Sequence, residues 1–284
     1  MKFLIPSLEI LAGIVILLLI ATIVGKQRFN GKVRREVTAM FEPVRPVKPD
    51  RVTEEALQGL PDPVQRWLRT SEVIGRERIL TVRLWQRGEF RMAPDSRWMP
   101  FEAEQYYTTD PPGFLWYTTM RPAPLVRITG RDKYWQGHGN MLIQLLSVFS
   151  VVNASGPELD QGTLLRYLNE MMWFPSAALS RYIRWEAIDD TSARATMECR
   201  GVTGTAIFYF NRTGEITNMI ANRYREAEGQ FELTRWSTPI RGYRDFGTIR
   251  LPSAGEGVWS LDSGDFSYIR LEITDIEYNT PALY

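Results

Sequence analysis

From Ile10 to Val24 the chain reads Ile-Leu-Ala-Gly-Ile-Val-Ile-Leu-Leu-Leu-Ile-Ala-Thr-Ile-Val, without a charge or a strong helix breaker. No other stretch is as apolar, so the sequence divides into one membrane-type segment and a large remainder built for water. Pro6 is tolerated in the first turn of a helix, where its missing N–H has no partner to lose. A helix from Pro6 to Gly25 holds 20 residues and is about 30 Å long, which matches the hydrocarbon core of a bilayer. Glu9 then falls at the interface, near the positive end of the helix dipole.

Three other readings compete with an uncleaved anchor. A cleaved signal peptide wants small residues at −3 and −1 of the cut, and residues 21–25 offer no Ala-x-Ala-like site. A lipoprotein signal needs a cysteine at the cut, and the one cysteine is Cys199. A buried core helix is the third, but so apolar a terminal run is more often a span. Residues 1–25 are therefore expected to be a transmembrane anchor, making this a single-pass membrane protein with the bilayer as its first partner. Orientation stays open. Lys26, Arg28, Lys32, Arg34 and Arg35 follow the span and only Lys2 precedes it, which favours a cytoplasmic domain, whereas a ligand-binding domain outside the cytoplasm suits the fold resemblance given below.

Pro43, Pro46 and Pro49 recur at every third position, each holding the residue before it extended. With the five basic residues they make 26–50 an expected basic, Pro-rich linker, a short stiff polyproline spacer. Residues 51–284 are then a single domain. The whole chain is 44% hydrophobic and 24% charged, which leaves this domain the material for a packed core. A net charge of +1 supplies no long-range field for nucleic acid. One cysteine excludes an internal disulfide and any Cys-based metal cluster.

Asp62-Pro63 reads as an N-cap and first helical residue, with Val64, Trp67 and Leu68 on one apolar face; Thr53 caps a turn through Leu57. From Ile79 strands take over: Ile79–Gln86 with Leu80, Val82 and Leu84 on one face, a turn at Arg87-Gly88-Glu89, then Trp98–Thr108, Gly113–Met120 and Leu125–Thr129. Gly130–Lys133 reads as a hairpin turn before Tyr134. The middle reads as helical, over Asn140–Ser150 and again over Leu159–Leu179. In the second of these Asp160 is the expected N-cap, Leu164, Leu165, Leu168 and Met172 form the stripe, Arg166 and Glu170 pair at i,i+4, and Pro175 ends or kinks the helix. Ala193–Cys199, Gly204–Phe210, Glu215–Arg225, Phe231–Tyr243, Thr248–Leu251, Gly255–Leu261 and Phe266–Tyr278 read as an antiparallel meander.

Catalytic signatures are missing. Gly-x-Ser-x-Gly, the P-loop and Gly-x-Gly-x-x-Gly are absent, and the single histidine, His138, cannot form a two-histidine metal site. Glu102 and Glu104 share a strand face and could do acid–base work, though a solvated sheet face explains them better. No catalytic residue, metal or cofactor is expected. A hydrolase centred on His138, Glu102 and Glu104 stays as an alternative.

The stretch Asp160-x-Gly162-x-Leu164-x-Arg166-Tyr167-Leu168-x-Glu170-x-x-Trp173-Phe174-Pro175 resembles a bacterial family of unknown function. So do Trp98-x-Pro100-Phe101-x-Ala103, Gly113-Phe114-x-Trp116, Tyr134-x-x-Gly137-x-Gly139-x-Met141 and Ile273-Thr274-x-Ile276-x-Tyr278-Asn279. The resemblance covers nearly all of 60–280 and brings no established activity. More distantly, the helix-containing meander is similar to the LolA/LolB lipoprotein-carrier type of fold, which implies a curved sheet wrapped on a helical plug with an acyl-binding cavity. LolA is a free protein and LolB lipid-anchored, whereas this chain carries a span.

The expected fold is therefore α+β: one transmembrane helix, then a curved antiparallel sheet forming a LolA-like half barrel packed on helices. The expected function is binding of a lipid or other apolar ligand between the sheet and the 159–179 helix. Tyr167, Trp173 and Phe174 would line the site, Arg166 would meet an anionic head group, and Glu170, His138 and Met141 would be further contacts. A structural or assembly protein acting through an exposed sheet edge or the Trp-rich surface is the second reading.

Overall fold

Val82 and Leu84 alternate with Arg83 and Trp85, and this two-residue period sets the architecture. In a computed structural model, which describes residues 4–44, 50–123, 126–227 and 229–284, the pattern becomes β1 (Thr81–Phe90). It opens a run of five more antiparallel strands: β2 (Met99–Thr109), β3 (Pro112–Ala123), β4 (Val126–Trp135), β5 (His138–Leu145) and β6 (Phe149–Ser155). Helix α3 (Pro157–Glu170) follows, then two 3-10 turns, Met171–Trp173 and Pro175–Leu179. The second half is β7 (Ile183–Asp189), β8 (Ser192–Cys199), β9 (Val202–Phe210), β10 (Ile216–Ala227), β11 (Gln230–Ser237), β12 (Ile240–Phe246), β13 (Ile249–Leu261) and β14 (Gly264–Tyr278).

All pairings are antiparallel, in the order β6-β5-β4-β3-β2-β1-β14-β13-β11-β10-β9-β8-β7, with β12 pairing on β13 beside that path. The last strand returns to pair with the first, Val82 opposite Tyr278, so the two halves of the chain join at the middle of one sheet. The sheet curls into a half barrel around α3, which touches β4 and β5 on one limb and β9 and β10 on the other. The inner face buries Val82, Leu84, Phe101, Ala103, Tyr107 and Phe114 against Leu164, Tyr167, Leu168 and Phe174. Helix α2 (Asp62–Thr70) adds Val64, Trp67 and Leu68 to the same core.

The structure revises the expected linker. Helix α1 runs unbroken from Leu4 to Phe41, so 26–41 is helix rather than extended spacer. Its second half lies on the outer face of the sheet, burying Phe29, Val33, Val37, Met40 and Phe41 against Tyr106, Leu115 and Leu142. Those five recur at helical spacing; the basic residues between them occupy the other side. Pro43 follows the helix, while Pro46 and Pro49 of the expected spacer, and Leu125 of the expected strand, lie outside the described residues. The first half of α1 is long and apolar enough to cross a membrane and is bare: Leu17 is 67% exposed and Ile23 59%.

Other corrections follow from the same two-sided burial. Asn140–Ser150 is not a helix but β5, a turn and the start of β6. Leu142 is buried under α1 while Met141 and Ile143 face inward, so the strand is apolar on both faces and loses its alternation. Arg87–Glu89 and Gly130–Lys133 are interior strand positions, not turns. Phe231–Tyr243 is two strands, broken at Thr238-Pro239, and Thr248–Leu251 and Gly255–Leu261 are one. β7, for which the expected meander has no counterpart, is an edge strand: Ile183 and Trp185 pack against the core from one face and most of its other residues are exposed. α3 starts at Pro157 after Gly156 (φ 141), so Asp160 lies inside its first turn and does not cap it.

Candidate functional site

On α3, Arg166 and Glu170 face the same way, one turn apart. Arg166 Nε donates to Glu170 Oε1 at 2.8 Å, and its Nη1 donates to Asp132 Oδ2 of β4 at 2.8 Å. The guanidinium lies 5.0 Å from the ring centres of both Phe114 and Trp116, a favourable cation–π arrangement. Glu170 Oε2 accepts from Gln105 Nε2 at 2.7 Å and from the Tyr107 hydroxyl at 2.9 Å. Gln105 Oε1 in turn accepts from Gln86 Nε2, and Gln86 Oε1 from Trp116 Nε1, each at 3.0 Å. A polar chain thus crosses β1, β2 and β3 inside the barrel with its charges paired. Burial alone would pull the Arg166 guanidinium down, but the Glu170 and Asp132 carboxylates outweigh it and hold it above its usual range. Burial, then the Glu170 charge, pushes the Tyr107 phenol well up.

The expected lining residues are core. The Tyr167 hydroxyl donates to Thr108 O at 3.0 Å, and the Phe174 ring sits 4.7 Å from Tyr107 and 5.6 Å from Tyr167. Trp173 is 6% exposed and its carbonyl accepts from the Tyr278 hydroxyl. All three are buried between the sheet and α3, the place in which a ligand was expected. Met141 is half-buried on the inner face of β5. His138 is exposed at the β4–β5 turn, its Nδ1 3.5 Å from Asp160 Oδ2, while the other oxygen of Asp160 accepts the Gly139 N–H at 2.6 Å. It lines a surface groove of about 520 Å³ with Lys133, Trp135, Asn140 and Asp160. Arg166, Tyr167, Glu170, Trp173 and Phe174 are therefore together in the interior, and His138 is apart from them.

A second concavity, about 550 Å³, opens on the outer face of β1, β2, β3 and β14. Arg87, Arg121 and Arg270 line it with Glu89, Glu102, Glu272 and Pro100; Gly88, Phe101 and Leu271 border it from positions whose side chains belong to the inner face. Arg87 pairs with Glu272 at 2.8 Å, and Arg270 stacks on Trp98 with its charge 4.5 Å from the ring centre. Among the described residues no ion pair includes Arg121. Arg87 and Glu89, expected in a turn, are strand residues here, and Arg121 and Arg270, for which the sequence carries no local signal, line the same concavity because β14 returns beside β1. Glu102 and Glu104 do share this outer face, and Glu104 accepts the Tyr106 hydroxyl. Glu102 and His138 line different grooves.

Helix α1 fixes where this pocket lies. Glu36 sits 3.1 Å from Arg131 Nε and 3.2 Å from Lys133 Nζ, and Asn30 accepts the Tyr117 hydroxyl at 2.8 Å. Gly25 rests on the β5–β6 turn: a Cβ there would collide with the Ser147 carbonyl and stand 3.1 Å from Val148 Cγ2. From that turn one row of paired residues crosses six strands, Leu145, Ile128, Met120, Phe101, Gly88 and Leu271. The row ends beside the pocket, so the pocket lies at the same strand ends as the β5–β6 turn on which Gly25 rests.

A half barrel docked on a long N-terminal apolar helix is the class these features define. Residues 50–271 match a family of unknown function, DUF6544, and the chain belongs to that family. Among solved structures it is similar to a LolA superfamily protein from Nitrosomonas europaea, at 12% identity over 77% of this chain and 93% of that one, with a TM-score of 0.37. It is also similar to a beta-barrel-like protein of a domain of unknown function, DUF1849, from Brucella abortus, at 9% identity over 72% of this chain and 99% of that one, with a TM-score of 0.19. No curated protein matches the chain at a significant level.

Proposed function

We propose that this protein is a membrane-anchored binding module that takes an amphiphilic ligand, apolar with an anionic group, at the end of its half barrel nearest the bilayer. One observation carries the reading: α1 is continuous from its exposed apolar half into the half packed on the sheet. In this reading the Arg87–Arg121–Arg270 pocket lies at the end of the domain from which the span departs. Three guanidinium groups suit an anionic head group, and the acyl chain would run from there toward the bilayer. Lys26 and Arg28, exposed on the first turn past the apolar run, add attraction for an anionic bilayer surface.

The test is native mass spectrometry with lipid extraction on the full chain released from membranes in mild detergent. A bound lipid of defined mass, lost in Arg121→Glu, supports the reading. A folded protein that is empty and takes up no added phosphatidylglycerol overturns it.

A second reading, assembly with another membrane or envelope protein, is favoured by the β10–β11 hairpin. Tyr224, Phe231 and Leu233 are exposed there on one face, Tyr224 opposite Leu233. Co-purification of a stoichiometric partner, lost in Leu233→Asp, would favour this assembly role.

A further inference from the structure

The β5–β6 hairpin ends in apolar residues that the protein itself leaves uncovered. Val148 is 38% exposed, Phe149 53% and Val151 58%. The turn itself is firmly built. Leu146 and Ser147 both have positive φ (53 and 57), the arrangement of a tight hairpin turn. The Leu146 N–H donates to Arg127 O at 2.7 Å, and the Ser147 and Thr129 hydroxyls are 2.8 Å apart. A positive φ is unfavourable for leucine, so the neighbouring contacts hold the turn in place. It is also placed against Gly25, where the exposed apolar surface of α1 ends and Lys26 and Arg28 begin.

From this geometry we infer that the tip of the β5–β6 hairpin is a second bilayer-contacting element, with Val148, Phe149 and Val151 seated in the interfacial layer of the membrane that α1 crosses. The inference rests on the anchored reading above. Two features select lipid as the occupant. The hairpin tip meets α1 at the edge of its exposed apolar run, where Ser147 and Val148 lie against Gly25. Its flanks carry Lys26, Arg28 and Arg127, the residue types that hold anionic head groups, while apolar tips of this kind gain by leaving water at that depth.

The test uses the full chain in nanodiscs of phosphatidylcholine and phosphatidylglycerol. Single labels are placed by Phe149→Cys, Val151→Cys, His138→Cys and Ile16→Cys. Cys199 is retained, because it is buried, and the wild type treated identically is the blank. His138 stands at the other end of β5, about 23 Å along the strand from Leu145, the residue opposite Phe149. Quenching of the 149 and 151 labels by spin-labelled lipid several-fold above that of the 138 label supports the inference. Quenching at 149 and 151 no greater than at 138 overturns it. The Ile16 label separates the two failures: with Ile16 quenched, the anchor stands and only the hairpin contact falls; with Ile16 unquenched, the anchor falls as well.

Discussion

Arg166 Nε and Glu170 Oε1 meet at 2.8 Å inside the half barrel, the arginine side chain 15% exposed and the glutamate 6%. Breaking a buried pair leaves one charge uncompensated, which costs about 3–5 kcal/mol. Glu170→Ala, which also strips acceptors from Gln105 and Tyr107, should lower stability by that amount in urea unfolding. Glu170→Gln, which keeps an acceptor oxygen, should lose less, about 1–3 kcal/mol. A loss below about 1 kcal/mol for the alanine variant would equal that of an exposed ion pair and contradict the buried network.

Val37 is fully buried between α1 and the sheet. Val37→Asp places an unpaired carboxylate there, an expected penalty of about 3 kcal/mol. That should raise the undocked population of α1 on the order of a hundredfold. Limited trypsin digestion should then cut at Arg34 and Arg35, both exposed on the outer side of the helix, while the strands resist. The interior core is a separate cluster and should stay folded.

Burial raises the pKa of Glu104, and the Tyr106 hydroxyl only partly opposes the rise. A carboxyl raised on folding stabilises while protonated. Its contribution is full below the unfolded value of about 4.3 and is lost as pH rises through the higher folded value. Glu104→Gln should therefore raise the melting temperature at neutral pH, with the gain shrinking to nothing as pH falls below the ordinary carboxylate range. A gain that grows on acidification would reverse the sign and refute the assignment.

Trp173 distinguishes the interior from the outer pocket. As a core side chain it should lose about 3–5 kcal/mol of stability on Trp173→Ala, with lipid loading falling only as the fold does. Arg121→Glu should do the opposite, reducing lipid loading with the melting temperature unchanged. Loading lost in Trp173→Ala at full stability would return that residue to a ligand wall.

Much of the sheet was legible because one face of most strands meets water, as in Val82-Arg83-Leu84, and the i,i+4 spacing of Arg166 and Glu170 was enough to foresee their pair. Legibility failed where both faces are covered. β5 carries Met141 and Ile143 inward and Leu142 outward under α1, so its run looked helical. The docked half of α1 held its period in Phe29, Val33, Val37 and Phe41, but five basic residues on the opposite side drew it toward a linker. The outer pocket had no local signal: Arg87, Arg121 and Arg270 come from three strands whose adjacency is a property of the topology alone.

The unbroken course of α1 has a mechanical consequence. A helix that passes straight from its bare half into packing on the sheet has no joint between the two, so the barrel cannot swing on it as on a tether. A tilt or twist applied at Leu17 becomes the same tilt or twist of β3 and β4, and the concavity beside Arg121 turns with it as the head of a key turns with the shaft.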